Sequence, residues 1–129
     1  MNYLSLFSGA GGGDLACSKL LGWRCVGHVE NDEYCQQVIA RRQLDGHLEH
    51  APIFGDIKTF IDDGFARSYQ GMVDVVVAGF PCQPFSVAGR QKGTDDPRNQ
   101  WPTTLDVLRL VEPQQVFLEN VPGLLAASH

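Results

Sequence analysis

A chain of 129 residues, 43% hydrophobic and 19% charged, has the composition of one globular domain that can bury about two-thirds of its surface without a disulfide or metal. Its net charge of −5, from 10 Lys and Arg against 15 Asp and Glu, argues against a simple polyanion binder. No apolar run reaches the roughly 18 residues a membrane span needs, and the start has no signal-like basic or apolar region, so a cytoplasmic setting is expected.

Strand and helix signals alternate along the chain. Tyr3–Phe7 reads as a short buried strand, broken by the glycine-rich run from Gly9 to Gly13. Asp14 then acts as a helix cap or first-turn acid, Leu15, Ala16, Leu20 and Leu21 follow, and Gly22 closes the helix. Cys25–Val29 is a second strand. Asn31 or Asp32 caps a second helix whose Tyr34, Cys35, Val38 and Ile39 share one face, with Arg41 and Arg42 where the helix dipole favours cations. Ile53–Phe54 is a short third strand, and a helix is expected over Lys58–Ala66. The valine-rich segment Val73–Ala78 fits a strand covered on both faces. Gly79–Pro97 lacks periodicity and holds three of the seven prolines, as long functional loops do. Pro102 opens a helix through Leu105, Leu108 and Val111 that stops at Glu112-Pro113, and Val116–Leu118 is a fifth strand. The alternation predicts a doubly wound, Rossmann-like α/β domain on a mainly parallel sheet of about five strands.

Ligands of such sheets gather beyond the carboxyl ends of the strands. There the chain places the glycine run, Glu30, Asp56, Cys82 and Glu119. The glycine run fits a close backbone approach to a ligand, and equally a tight strand-to-helix turn. Glu30 lies 21 residues after Gly9, the offset at which an acid holds ribose hydroxyls. Asp14 occupies the position where dinucleotide folds carry Gly or Ala, and its charge would repel a pyrophosphate at that helix end. The pattern therefore suits an adenosine ligand without phosphates. Asp56 on its own also reads as a helix cap. Glu119 would be costly at a buried strand end without a partner. Cys82 reads either as a buried small side chain or, between Pro81 and Pro84 after Gly79, as a rigidly held nucleophile. Cys17, Cys25 and Cys35 fall within core elements and are read as packing residues. The cysteines and histidines have no metal-ligand spacing, so no metal is expected.

Three segments resemble the first, fourth and sixth motifs of the DNA (cytosine-5)-methyltransferase family, in that order: Leu6-Phe7-Ser8-Gly9-Ala10-Gly11-Gly12, Gly79-Phe80-Pro81-Cys82-Gln83-Pro84-Phe85-Ser86 and Glu119-Asn120-Val121. Glu30 and Gly55-Asp56-Ile57 resemble the second and third motifs. The resemblance implies an S-adenosylmethionine pocket lined by Phe7, Ser8, Gly9, Gly11, Gly12, Glu30, Asn31, Asp56, Ile57 and Pro81, with Glu30 on the ribose and Asp56 on the adenine amine. It implies a double-stranded DNA substrate whose target cytosine is flipped from the stack. The Cys82 thiolate would attack carbon 6 while Glu119 engages N3, making carbon 5 nucleophilic enough to take the methyl group. Gln83, Ser86, Arg90 and Arg98, on the long loop, would close over the DNA.

The departures from the family pattern matter as well. The sequence stops nine residues after Asn120, without the Gln-x-Arg-x-Arg motif, the target-recognition domain or the closing Asn-containing motif. Residues 1–129 are thus expected to be a partial methyltransferase domain: a fragment, one half of a split enzyme paired with a complementary chain, or a non-catalytic remnant. A tRNA cytosine methyltransferase would share the chemistry, but its fourth motif usually opens Pro-Pro-Cys where this chain has Phe80-Pro81-Cys82.

Overall fold

A computed structural model describes residues 1–9, 11–79 and 101–119, with Glu119 described by its backbone alone. Five strands, β1 (Asn2–Leu6), β2 (Arg24–Val29), β3 (Ile53–Phe54), β4 (Val75–Gly79) and β5 (Gln115–Glu119), alternate with helices α1 (Gly12–Leu20), α2 (Glu33–Leu44), α3 (Ile57–Asp62), α4 (Phe65–Ser68) and α5 (Trp101–Val111). All strand pairs are parallel and the order across the sheet is β3-β2-β1-β4-β5, the doubly wound arrangement the alternation predicts.

Side-chain alternation divides the core between the two faces. Leu4 and Leu6 of β1 join Val76 and Ala78 of β4 beneath Phe60, Ala66, Val107 and Val111 from α3, α4 and α5. Tyr3 and Val75 point the other way, toward Cys17 of α1. Val75, Val76 and Ala78 are all buried, as a central strand covered on both faces requires.

One irregularity reorganises β2. Tyr3 pairs with Cys25 but Leu4 pairs with Gly27, leaving Val26 as an extra residue. Such a bulge reverses the facing of every later side chain. Cys25 and His28 consequently share the α1 face, while Val29 joins the core beneath α3. The Tyr69 hydroxyl caps the bulge by donating to the Val26 carbonyl at 2.7 Å.

Several boundaries and faces differ from expectation. Phe7 leaves the first strand, because its φ of 53° is left-handed. Asp14 is not the α1 cap; Gly11 holds that position at φ 86°, and Asp14 lies within the first turn. Of α1's expected apolar face, Leu20 and Leu21 are exposed while Asp14 and Cys17 are buried. Asp32, not Asn31, caps α2, its Oδ1 accepting from Cys35 N at 3.0 Å. On that helix Ile39 and Gln43 are buried, whereas Tyr34 is exposed and Cys35 only half-buried, so the expected apolar face is narrower than its four positions. The helix expected over Lys58–Ala66 is two short ones, divided at Gly64 with φ 86°. Strand β5 borders the sheet among the described residues, with Val116 and Phe117 exposed. An apolar cleft of 390 Å³ lies between α1 and the ends of β4 and β5, lined by Ala16, Cys17, Leu20, Val77 and Phe117 among others. No helix among the described residues is long and apolar enough to cross a membrane.

Candidate functional site

The ladder registers bring the carboxyl ends of the strands level. Leu6 pairs with Val29 on one side and Ala78 on the other, Val29 pairs with Phe54, and Gly79 pairs with Glu119. Phe7, Glu30 and Gly55 are the first residues beyond three of these ends. The crossovers following β1 and β4 leave on opposite faces, so a crevice opens between these strands at the edge where doubly wound sheets bind ligands.

The backbone after β1 turns sharply at this edge. Phe7 still donates to the Val29 carbonyl at 2.8 Å, but its left-handed φ is one that a side chain makes costly, by about 1–2 kcal/mol. Gly9 follows at φ 59°, where the absent Cβ removes that cost. The Gly9 N–H donates to Glu30 Oε1 at 2.7 Å, and Glu30 Oε2 accepts from the Asp32 N–H at 2.8 Å. One carboxylate therefore ties the glycine turn to the start of α2. Gln36 Nε2 fixes the same residue by donating to the Glu30 carbonyl at 2.5 Å. Glu30 N–H in turn donates to Phe54 O at 2.9 Å, which aligns the segment leading to Asp56. Asp56 is exposed at the head of α3, its Oδ2 accepting from the Thr59 hydroxyl at 3.3 Å, and Ile57 beside it is buried. Asn31 and Gly12 are exposed near the same edge.

A polar cluster lies behind the turn, between β1, β2 and α1. Asp14 is 3% exposed; its Oδ1 accepts from the Tyr3 hydroxyl at 2.9 Å and its Oδ2 from the Ser5 hydroxyl at 3.2 Å. The Ser5 and Ser8 hydroxyls meet at 2.7 Å, and Ser8 Oγ lies 3.2 Å from His28 Nδ1. On the opposite side of the imidazole, Nε2 lies 3.4 Å from Cys25 Sγ. Burial pushes the Cys25 thiol up to about 12, with the Asp14 charge adding to the effect. Burial also lowers the His28 pKa, against the opposing pull of Asp14, so the imidazole is neutral. Asp14, Cys25 and His28 offer three potential metal-ligand atoms within 4.8 Å of one another. Yet the thiol meets one ring nitrogen and the carboxylate the other, at 3.6 Å from Nδ1, and the group is arranged as a hydrogen-bonded chain.

The described structure thus brings together Phe7, Ser8, Gly9 and Glu30, with Gly11, Gly12, Asn31, Asp56 and Ile57 on the adjoining turns and helix starts. Pro81, Cys82, Gln83, Ser86, Arg90, Arg98 and the side chain of Glu119 lie outside the described residues. Sequence reasoning missed Ser5, His28 and Gln36, and read Asp14 as a helix cap or first-turn acid and as a charge facing a ligand, not as a buried acceptor for Tyr3 and Ser5. Ser5 between Leu4 and Leu6, a hydroxyl inside an apolar strand, was the available signal. His28 gave none, because its facing depends on the bulge.

A family model described as C-5 cytosine-specific DNA methylase matches residues 1–129. The Type II methyltransferase M.HhaI of Haemophilus parahaemolyticus is 36% identical over 132 residues, a match covering 100% of this chain and 36% of that protein. M.HgiCII of Herpetosiphon aurantiacus is 35% identical over 124 residues, covering 95% of this chain and 26% of that one. M.HpaII of Haemophilus parainfluenzae is 35% identical over 128 residues, with coverages of 95% and 32%. The chain spans about a quarter to just over a third of the length of these relatives. Among solved structures, TrmN from Thermus thermophilus superposes with a TM-score of 0.59 at 19% identity, over 100% of this chain and 36% of that one. PH0226 from Pyrococcus horikoshii OT3 gives 0.52 at 17% identity, over 89% and 41%. These two share its fold.

Proposed function

The chain belongs to the C-5 cytosine-specific DNA methylase family, and from that membership we propose that it forms the S-adenosylmethionine-binding and catalytic-loop part of a DNA (cytosine-5)-methyltransferase. The observation that carries this reading is the Glu30 carboxylate, 2.7 Å from the Gly9 N–H at the end of β1 and beside the switch point of the sheet. An acid held there by a glycine turn is set to accept from two adjacent hydroxyls, as a ribose presents them. Phe7 supplies an aromatic face and Asp56 an acceptor for an adenine amine. Gly11 and Gly12 allow the ligand close to the backbone, and Ser8, Asn31, Ile57 and Pro81 complete the lining. Asp14, a negative charge in the first turn of α1, disfavours a phosphate there and suits a cationic sulfonium.

S-adenosylmethionine supplies the electrophilic methyl group. The chain's own residues activate its acceptor, a cytosine flipped out of double-stranded DNA. The Cys82 thiolate adds to carbon 6 and Glu119 hydrogen-bonds or protonates N3, which raises the electron density at carbon 5. After methylation, loss of the carbon-5 proton and elimination of the sulfur restore Cys82. Gln83, Ser86, Arg90 and Arg98 contact the DNA from the loop. Residues 1–129 act as one partial domain, and a polypeptide carrying the remaining family motifs completes the sheet beyond β5. Supporting that partner are the exposed Val116 and Phe117 on β5. With those motifs supplied, Cys82→Ser is expected to abolish methyl transfer to DNA and leave S-adenosylmethionine binding intact. Methylation surviving in that variant would overturn the assignment.

A further inference from the structure

The turn taken as the cofactor contact is costly in isolation, since Phe7 and Gly9 on either side of Ser8 are both left-handed. What holds it is the side chain between them. Ser8 Oγ reaches back into the domain, 2.7 Å from Ser5 Oγ and 3.2 Å from His28 Nδ1. Donor counting then fixes the direction of each bond. The Asp14 carboxylate only accepts, so it takes the hydrogens of Tyr3 and Ser5. With its hydrogen committed, Ser5 Oγ accepts from Ser8. Ser8 Oγ, having donated, must accept in turn, so His28 carries its proton on Nδ1. Nε2 is left bare, 3.4 Å from the Cys25 sulfur, whose own hydrogen also has the Gly27 carbonyl at 3.2 Å to donate to. Neutral His28 and protonated Cys25 are the states that burial favours for both. Tyr3, Ser5, Asp14, Cys25 and His28 are all at least 97% buried, which shields the bonds among them from water, while Ser8 is half-buried.

We propose that Asp14 is a positioning residue for the cofactor turn: through Ser5 and Ser8 it imposes one direction on the chain of hydrogen bonds, fixes the His28 tautomer, and so holds Phe7 and Gly9 in the left-handed conformations that aim the Gly9 N–H at Glu30. This rests on the reading of that turn as an S-adenosylmethionine contact, but its direct consequences do not need the ligand. In Asp14→Asn an amide N–H₂ faces the serines. Ser5 then accepts from residue 14 and donates to Ser8, Ser8 donates to the imidazole, and the His28 proton moves to Nε2. In Tyr3→Phe a bond to Asp14 is lost but the direction of the others is kept.

The test is nitrogen-15 NMR of the histidine rings and of the Gly9 amide in the full 129-residue chain, with S-adenosylmethionine titrated afterwards. The wild type and Tyr3→Phe are expected to show neutral His28 protonated at Nδ1. Asp14→Asn is expected to shift it to Nε2. Ser8→Ala, half-buried at the domain's rim, is expected to speed Gly9 hydrogen exchange about tenfold and weaken S-adenosylmethionine binding by a similar factor, the worth of one buried hydrogen bond. An Nε2–H tautomer in the wild type would overturn the proposal, as would a tautomer that ignores Asp14→Asn. Should that variant not fold, an unchanged Gly9 exchange rate in folded Ser8→Ala overturns it on its own. If the wild type binds no S-adenosylmethionine, the cofactor assignment fails, while tautomer and exchange still decide this proposal.

Discussion

Cys25 stays protonated in the folded chain up to about 12, whereas the same thiol in an unfolded chain ionises near 9.0. Above pH 9 the unfolded state therefore binds fewer protons, and stability should fall as pH rises, by at most about 1.4 kcal/mol per unit for this group. Buried Tyr3, raised by the same desolvation, adds to the loss at higher pH. Urea melts under reducing conditions at pH 8 and 10 should show the drop, and Cys25→Ser should make it shallower; equal slopes would refute it. His28 has the opposite sign: its lowered pKa costs stability as pH falls below 6.5, where only the unfolded chain takes up the proton. Glu30 acts through two backbone hydrogen bonds. Glu30→Ala should lower the unfolding free energy by about 1–2 kcal/mol, measured by urea titration, because Gly9 and Asp32 lose their acceptor. Glu30 was legible in the sequence from its offset to the glycine run. His28 was not, because nothing local announces which way a side chain faces after a bulge.

The bulge in β2 also explains a glycine that turn logic overlooks. A Cβ on Gly27 would lie 2.5 Å from the Tyr69 hydroxyl and 3.1 Å from Leu4 Cδ1. Gly27→Ala should therefore cost about 1–3 kcal/mol by overpacking, and it should also displace the hydroxyl from the Val26 carbonyl. A double-mutant cycle with Tyr69→Phe should show the pair costing less than the sum of the single changes. Strict additivity would contradict the contact. The strands themselves were legible because buried parallel strands are short apolar runs, as Val75–Val77 shows. The helices were less so. Gly64 splits α3 from α4 directly after Asp62 and Asp63, a turn signal that the reading of one helix over Lys58–Ala66 passes over, and α1 buries Asp14 where an amphipathic pattern expects an apolar residue. The first departure is local, set by the left-handed Gly64, and the second comes from tertiary partners, Tyr3 and Ser5.

At the scale of the whole molecule, part of the apolar surface of the described residues gathers at one cleft. Leu20 of α1, Leu21 just after it and Phe117 of β5 are exposed around the 390 Å³ cleft, and Val116 is exposed on the same strand, with β5 at the border of the described sheet. Exposed apolar side chains at a sheet border promote association. Light scattering on the purified chain should show concentration-dependent self-association, reduced by Phe117→Lys; a monodisperse monomer at all concentrations would contradict this. The doubly wound order was legible because connection lengths and handedness leave few alternatives. The level strand ends were legible only as a list of residues, since register is set by pairing and not by local sequence. The central claim is that the edge formed by Phe7–Gly9, Glu30 and Asp56 holds S-adenosylmethionine, and calorimetric titration of that compound into the 129-residue chain tests it most directly. One-to-one binding is expected, weakened at least about tenfold by Glu30→Ala through lost charge-assisted hydrogen bonds, whereas absent binding, or binding indifferent to both Glu30→Ala and Asp56→Ala, would contradict it.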